Sequence, residues 1–219
     1  MSILRSVYLN LIKVAEYREI TLDAPTLSEQ NFAKQMMQFE HVLITGKRSG
    51  KTPRPDVKFY CVLIKPMSDF ESKSAEIEKI FKSIGLDRKK EAPEGNYEIM
   101  YVVSAAIPSA VGKLIDSYAS PRVYINVSPF YMFYVETPVV YGVPTHELLT
   151  TDEFNKICLQ NFALAEGFPK ILNDDPMAVW LGIRPRMGIR ILRASATCGE
   201  AVSYRYCVKN YNGKNTSEI

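Results

Sequence analysis

The 219-residue sequence predicts two domains of mixed class: an α/β domain over residues 1–142 and a small α+β domain over 143–208, followed by a polar tail expected to be disordered, 209–219. Three observations predict this. Up to Val103, segments with helical periodicity alternate with short β-branched runs, the order of a layered α/β fold. Pro138–Pro144 then interrupts the pattern with proline and glycine. Finally, Phe168–Val208 contains a capped short helix and two strands, the parts of one compact unit.

Ile3, Leu4, Val7, Tyr8, Leu11 and Ile12 recur at helical spacing and open the chain with a helix. Thr26 and Glu29 have the spacing of a capping box, with Phe32, Met36 and Phe39 on the inner face of a second helix. His41–Thr45 reads as a buried strand, Gly46–Pro55 as a solvated basic loop and Val57–Ile64 as another strand. Ile77, Ile80, Phe81 and Ile84 mark a helix begun by Ser68 or Asp69. Tyr97–Val103 is a strand, followed by a loop at Ile107–Ala110 and a short helix through Ile115. Val123, Ile125 and Val127 alternate as a strand does.

Beyond the boundary, Thr150 and Glu153 cap a helix that turns Phe154, Ile157 and Cys158 inward. Asp175 is the N-cap of the next helix, with Pro176 at its first position, where a missing N–H costs nothing. Met177–Leu181 fill an apolar turn or two, and Gly182 stands where a helix stops. Ile189–Arg193 and Ser203–Val208 read as two strands, joined by the turn chemistry of Ser195, Thr197 and Gly199. Two strands and short helices bury little. A unit of this size gains stability by docking its sheet edge or apolar face on something larger.

Composition narrows the function. Hydrophobic content of 47% supports a core and excludes a disordered chain. A net charge of +3 permits an accessory contact to nucleic acid but not a dedicated DNA-binding domain. The four cysteines (Cys61, Cys158, Cys198 and Cys207) have no paired spacing, and two histidines do not complete a zinc set. Reduced thiols, an intracellular protein and no cofactor follow as expectations. The uncharged run Val123–Val135 is shorter than the ~20 residues a membrane span takes. No membrane association or secretion is expected.

Three motifs imitate other functions. Gly46-Lys-Arg-Ser-Gly50-Lys51-Thr52 resembles a phosphate-binding loop but is one residue short between its glycines. Lys47, Arg48 and Lys51 keep a weak phosphate contact open. Asp56, Glu71 and Lys73 imitate a metal-dependent nuclease, the alternative function, but Glu71 and Lys73 fall past Pro66 rather than on the strand such a site needs. Arg184, Arg186, Arg190 and Arg193 suit carboxylates on a partner, although Arg190 and Arg193 lie on opposite faces of their strand.

The C-terminal string also resembles a known family. Pro169, Ile171, Asp175, Pro176, Ala178, Leu181, Gly182, Ile191, Arg193, Ser195, Thr197, Gly199, Tyr204 and Arg205 match, without a gap, the closing signature of an RNA polymerase subunit. It is the fifth subunit shared by the eukaryotic nuclear polymerases, with an archaeal counterpart that lacks the N-terminal jaw. Val143-Pro-Thr-His146 resembles the start of the same domain, and Ile107-Pro-Ser-Ala110 the family's Thr-Pro-Ser-Ala loop.

The resemblance implies a non-catalytic subunit of a DNA-dependent RNA polymerase. Its C-terminal assembly domain would dock on the largest subunit, beside neighbouring small subunits, through His146, Asp175, Pro176, Arg190, Arg193, Ser195, Thr197, Gly199, Tyr204 and Arg205. Its N-terminal jaw, of nuclease-like topology, would guide downstream double-stranded DNA through weak, sequence-independent contacts at Pro108, Ser109 and Lys113. It also implies some helix within 122–134, no homo-oligomer, and a eukaryotic or large-DNA-virus type, located in the nucleus if cellular and in host cytoplasm or virion if viral. Three departures stand out: Ile107 replaces the family's threonine, Glu200 its arginine, and Arg186 a glycine, so that the turn before Ile189 would be built differently, with Pro185.

Overall fold

The computed structural model describes residues 3–48, 56–66, 74–87, 94–104, 109–195 and 199–209. They form two compact units, one running to Tyr134 and one beginning at Val135, ahead of the expected boundary at 143. Each unit is built on its own sheet.

In the first unit, helix α1 (Ile3–Tyr17) buries Val7, Tyr8, Leu11, Val14 and Ala15 along one stripe. Helix α2 (Glu29–Phe39) is capped by Ser28, whose hydroxyl accepts from the Asn31 N–H at 3.3 Å, not by the expected Thr26–Glu29 box. The reason is local. The Leu27 N–H donates to the Tyr8 hydroxyl at 2.9 Å and the Leu27 carbonyl accepts from Arg5, which ties Leu27 to α1 and delays the helix. Phe32 and Met36 are buried, but Phe39 is 52% exposed rather than inward-facing.

Five strands follow in the order β1 (Thr21–Leu22), β2 (His41–Arg48), β3 (Val57–Ile64), β4 (Tyr97–Val103) and β5 (Val123–Pro129). The first three pair antiparallel and the last three parallel. Helices α3 (Ser74–Ser83) and α4 (Ser109–Asp116) lie in the two parallel crossovers. Tyr97, Ile99, Tyr101 and Val103 of β4 pack with Ile77, Ile80 and Phe81 of α3 and Val111, Leu114 and Ile115 of α4. The start of α3 expected at Ser68 or Asp69 lies outside the described residues. Segment 122–134 resolves as β5 and one 3-10 turn, Phe130–Phe133, so the helix implied there shrinks to that turn.

The opposite face of β4 carries Glu98, which is buried. Arg18, just past α1, meets it at 2.6 Å, and Arg48 reaches its second oxygen at 3.5 Å. Arg48 also donates to the Arg18 carbonyl at 2.9 Å. This corrects the solvated-loop expectation. Strand β2 runs through Gly46, Lys47 and Arg48, and its period of two turns Arg48 into the core. Residues 49–55 lie outside the described set. A Cβ on Gly46 would stand 2.6 Å from Ile20 Cγ2 and from the Thr21 carbonyl oxygen. Glycine at that position admits strand β1, which explains it without any phosphate.

The second unit contains β6 (Thr145–Leu148), β7 (Lys170–Leu172), β8 (Gly188–Ser195) and β9 (Gly199–Val208), ordered β6-β8-β9-β7. The expected β8–β9 hairpin is there, flanked by β6 antiparallel to β8 and β7 parallel to β9. The sheet therefore has four strands where two were expected. Helix α5 (Thr151–Gln160) opens with the expected capping box: the Thr150 N–H donates to Glu153 at 2.8 Å, and the Glu153 N–H donates to the Thr150 hydroxyl at 3.1 Å. The Thr150 N–H and the Thr150 hydroxyl, both donating to the Glu153 carboxylate, hold it below the usual carboxylate range. Phe154 stacks on Tyr206 at 5.9 Å, with the planes 5° apart.

Helix α6 (Pro176–Leu181) has Asp175 as its cap, whose carboxylate accepts from the Met177 N–H at 2.9 Å, and Gly182 in the left-handed region at φ 64°. Before β8, the Met187 N–H donates to the Arg184 carbonyl at 3.2 Å, closing a turn with Pro185 second and Arg186 third. Arg186 has φ 76°. The conformation that favours glycine is thus adopted here by an arginine, with Pro185 before it in the turn.

Candidate functional site

Strand register sorts the second sheet into two faces. Gly188 and Arg190 lie opposite Tyr206 and Tyr204; Ile191 and Arg193 lie opposite Ser203 and Ala201, with Arg205 opposite Ile189. Helix α5 covers the first face, where Leu149, Phe154 and Tyr206 form a cluster joined by Phe168 and Tyr204. The second face forms a groove with a volume of about 370 Å³. Its lining comes from β6 (His146), β7 (Ile171), β8 (Ile191, Arg193), β9 (Ser203, Tyr204, Arg205) and the start of α6 (Asp175, Met177), with Val143, Pro144 and Pro169.

The groove therefore brings together five of the sequence-predicted interface residues: His146, Asp175, Arg193, Tyr204 and Arg205. His146 holds its Nδ1 2.8 Å from the Pro144 carbonyl oxygen, which orients the ring locally. The Asp175 carboxylate accepts the Met177 N–H through Oδ1. Arg205 donates once, to the Lys170 carbonyl at 3.1 Å, which leaves other donors of its fork available. Arg193 is exposed and has no ion pair or hydrogen bond among the described residues.

Other predicted residues fall elsewhere. Arg190 lies on the α5 side and pairs with Glu147 at 2.6 Å, both groups partly exposed. Tyr204 lines the groove and also packs against the Leu149, Phe154 and Tyr206 cluster on that side. Pro176 is the first residue of α6, Ser195 ends β8, and Gly199 opens β9 at φ 74°. Thr197 lies outside the described residues. In the first unit, Ser109 and Lys113 are exposed and four residues apart on α4, hence on one side of it; Val111, Leu114 and Ile115 face inward. Ser109 and Ala110 are helical rather than part of the expected loop, and Pro108 lies outside the described residues.

Asp56 precedes β3 on the surface, while Glu71 and Lys73 lie outside the described residues. Among the described residues, no group of three or more His, Cys, Asp or Glu is arranged to hold a metal ion, and no helix is long and apolar enough to cross a membrane. Cys61 and Cys207 are fully buried, and burial pushes both thiols up to about 12.

Comparison with known proteins bears on the same groove. Residues 140–207 match the family described as RNA polymerase Rpb5, C-terminal domain. A "DNA-directed RNA polymerase subunit Rpo5" of Saccharolobus shibatae is 39% identical over 74 residues, which are 34% of this chain and 88% of that protein. The chain belongs to the Rpb5 C-terminal domain family. A "DNA-directed RNA polymerase RPB5 homolog" of African swine fever virus (isolate Pig/Kenya/KEN-50/1950) is 35% identical over 92 residues, or 42% of this chain. A second, from isolate Tick/Malawi/Lil 20-1/1983, is 34% identical over the same length. The match spans about half the length of these viral relatives, 45%.

The Rpb5 match takes in β6, α5, β7, α6, β8 and all of β9 but its last residue. Every residue lining the groove lies within it. The sequence did not flag β6 and β7 as strands. A period of two in Thr145-His-Glu-Leu148 and an isolated Ile171 between polar neighbours were the available signals, too short to separate from loop.

Proposed function

We propose that this chain is a non-catalytic subunit of a multi-subunit DNA-dependent RNA polymerase. The second unit serves as the assembly domain and docks on the largest subunit beside its small neighbours. The first unit serves as a nuclease-like jaw that guides downstream duplex DNA, with Ser109, Lys113 and the adjoining Pro108 against its backbone. The observation that carries this reading is the family match over 140–207, which includes the whole groove, together with a 74-residue likeness to 88% of an archaeal polymerase subunit.

Physical chemistry supports the division of labour. A small unit with an uncovered groove gains stability from a larger body. Exposed hydroxyl and ammonium groups on α4 suit sequence-blind phosphate contacts, which a processive enzyme requires. The named relatives are polymerase subunits, and nothing favours the nuclease alternative built on Asp56, Glu71 and Lys73. Viral relatives agree with a large-DNA-virus type, for which host cytoplasm or virion is the expected location.

Co-expression with the largest polymerase subunit tests the proposal. The two chains should co-elute from a sizing column, and independent elution under conditions where both are folded would refute docking.

A further inference from the structure

We propose that the groove of the second unit receives an extended protein segment with an acidic residue, an aliphatic residue two positions on, and a second acidic residue two positions further. This rests on the assembly reading above and gives its docking site a chemistry.

Register supplies the spacing. Arg193 lies opposite Ala201, and Arg205 opposite Ile189, so the two arginines stand four positions apart along the strand direction. At about 3.3–3.4 Å per residue their Cα atoms are roughly 13 Å apart along that axis, the reach of four residues of extended chain. Between them lie Ile191 and Ser203, opposite one another, with His146 opposite Ile191 on its other side; Met177 adds apolar lining, and Ile171, opposite Cys207, adds more just beyond Arg205. The groove thus offers two cations with the aliphatic Ile191 between them. An extended segment that points alternate side chains to one face matches this with acid, aliphatic and acid at alternate positions.

Charge favours an acidic partner. Of the charged groups lining the groove, the two exposed guanidinium groups of Arg193 and Arg205 outnumber the one carboxylate, Asp175, which also accepts the Met177 N–H. Glu200 lies opposite Ala194 and so belongs to the other face. Arginine's planar fork binds carboxylates two-pronged, which rewards a fixed position. A nucleic-acid strand fits less well, since of the two rings in the lining Tyr204 packs against the Phe154 cluster, which leaves His146 alone to stack on a base.

The test uses the full chain and a fluorescein-labelled peptide reading glycine, aspartate, serine, leucine, serine, aspartate, glycine, followed by fluorescence polarisation. Saturable binding is expected. It should fall about ten-fold or more in Arg193→Glu and when leucine is exchanged with a neighbouring serine. A peptide with lysine in place of one aspartate should regain affinity for Arg193→Glu, a rescue that a folding defect does not produce. No binding, equal binding of the rearranged peptide, or absence of rescue overturns the proposal. So does tighter binding of oligouridylate to the same arginines, or a dimer of this chain that Arg193→Glu dissociates. Co-elution with the largest subunit that survives Arg193→Glu combined with Arg205→Glu would refute the groove while leaving the subunit reading standing. Peptide binding without co-elution would do the reverse.

Discussion

The Phe154 ring occupies the space where a side chain on Gly188 would stand. A Cβ at position 188 would come within 3.0 Å of three ring carbons. Gly188 has no left-handed φ to explain it, so its role is steric. Gly188→Ala should destabilise the second unit by about 1–3 kcal/mol, the cost of overpacking. Trp180 is the chain's one tryptophan and is fully buried in α6, so its fluorescence reports this unit during urea unfolding. Adding Phe154→Leu should recover part of the loss, and two purely additive losses would contradict the steric account.

The buried Arg18–Glu98–Arg48 cluster has one carboxylate for two guanidinium groups. Glu98→Gln keeps the shape and removes the carboxylate charge that both guanidinium groups meet. The expected cost is about 3–5 kcal/mol, read as a lower urea midpoint by circular dichroism. A shift within about 0.5 kcal/mol, that of an ordinary surface change, would show that the cluster is not held by charge.

Cys61 gives the first unit a pH dependence with a definite sign. Burial raises its folded pKa from the ordinary 9.0 to about 12. Below the unfolded value both states hold the proton and the stabilisation is complete. As pH climbs between the two values, the unfolded chain loses its proton first and stability falls, by about 1.4 kcal/mol per pH unit. Comparison with Cys61→Ala isolates this contribution. The variant should lose stability less steeply above pH 9, and parallel slopes would contradict the assignment.

Arg186 adopts a left-handed conformation that costs a side-chain-bearing residue about 1–2 kcal/mol. Arg186→Gly relieves this, offset by the greater freedom of glycine in the unfolded chain, for a net gain of about 0.5 kcal/mol. A small rise in melting temperature is expected. A fall would mean that the Arg186 side chain contributes stability that outweighs the strain.

Lys113→Glu concerns the proposed jaw. In assembled polymerase it should weaken downstream-duplex binding and flatten the salt dependence by up to about one unit of slope. An unaltered slope would remove Lys113 from the DNA path.

Much of the architecture was legible because local signals agreed with the final packing. The Thr150–Glu153 box, the Asp175 cap, and strands β3 and β4 stand where their residues indicate. The failures have tertiary causes. Ser28 caps α2 because Tyr8 and Arg5 hold Leu27, contacts across the chain that spacing does not encode. Arg48 looked solvated among basic neighbours until Glu98, fifty positions on, drew it inward. In the groove, Arg193 and Arg205 were legible from the family likeness, but their shared face was not. Their register depends on strand pairing, and β6 and β7 have four and three residues, too few for periodicity to reveal.

Purification of a tagged full chain under native conditions, with its companions identified and quantified by mass spectrometry, tests the central claim most directly. Two very large polymerase subunits in equal proportion to this chain are the predicted result. A chain recovered alone, or with partners unrelated to transcription, would contradict it.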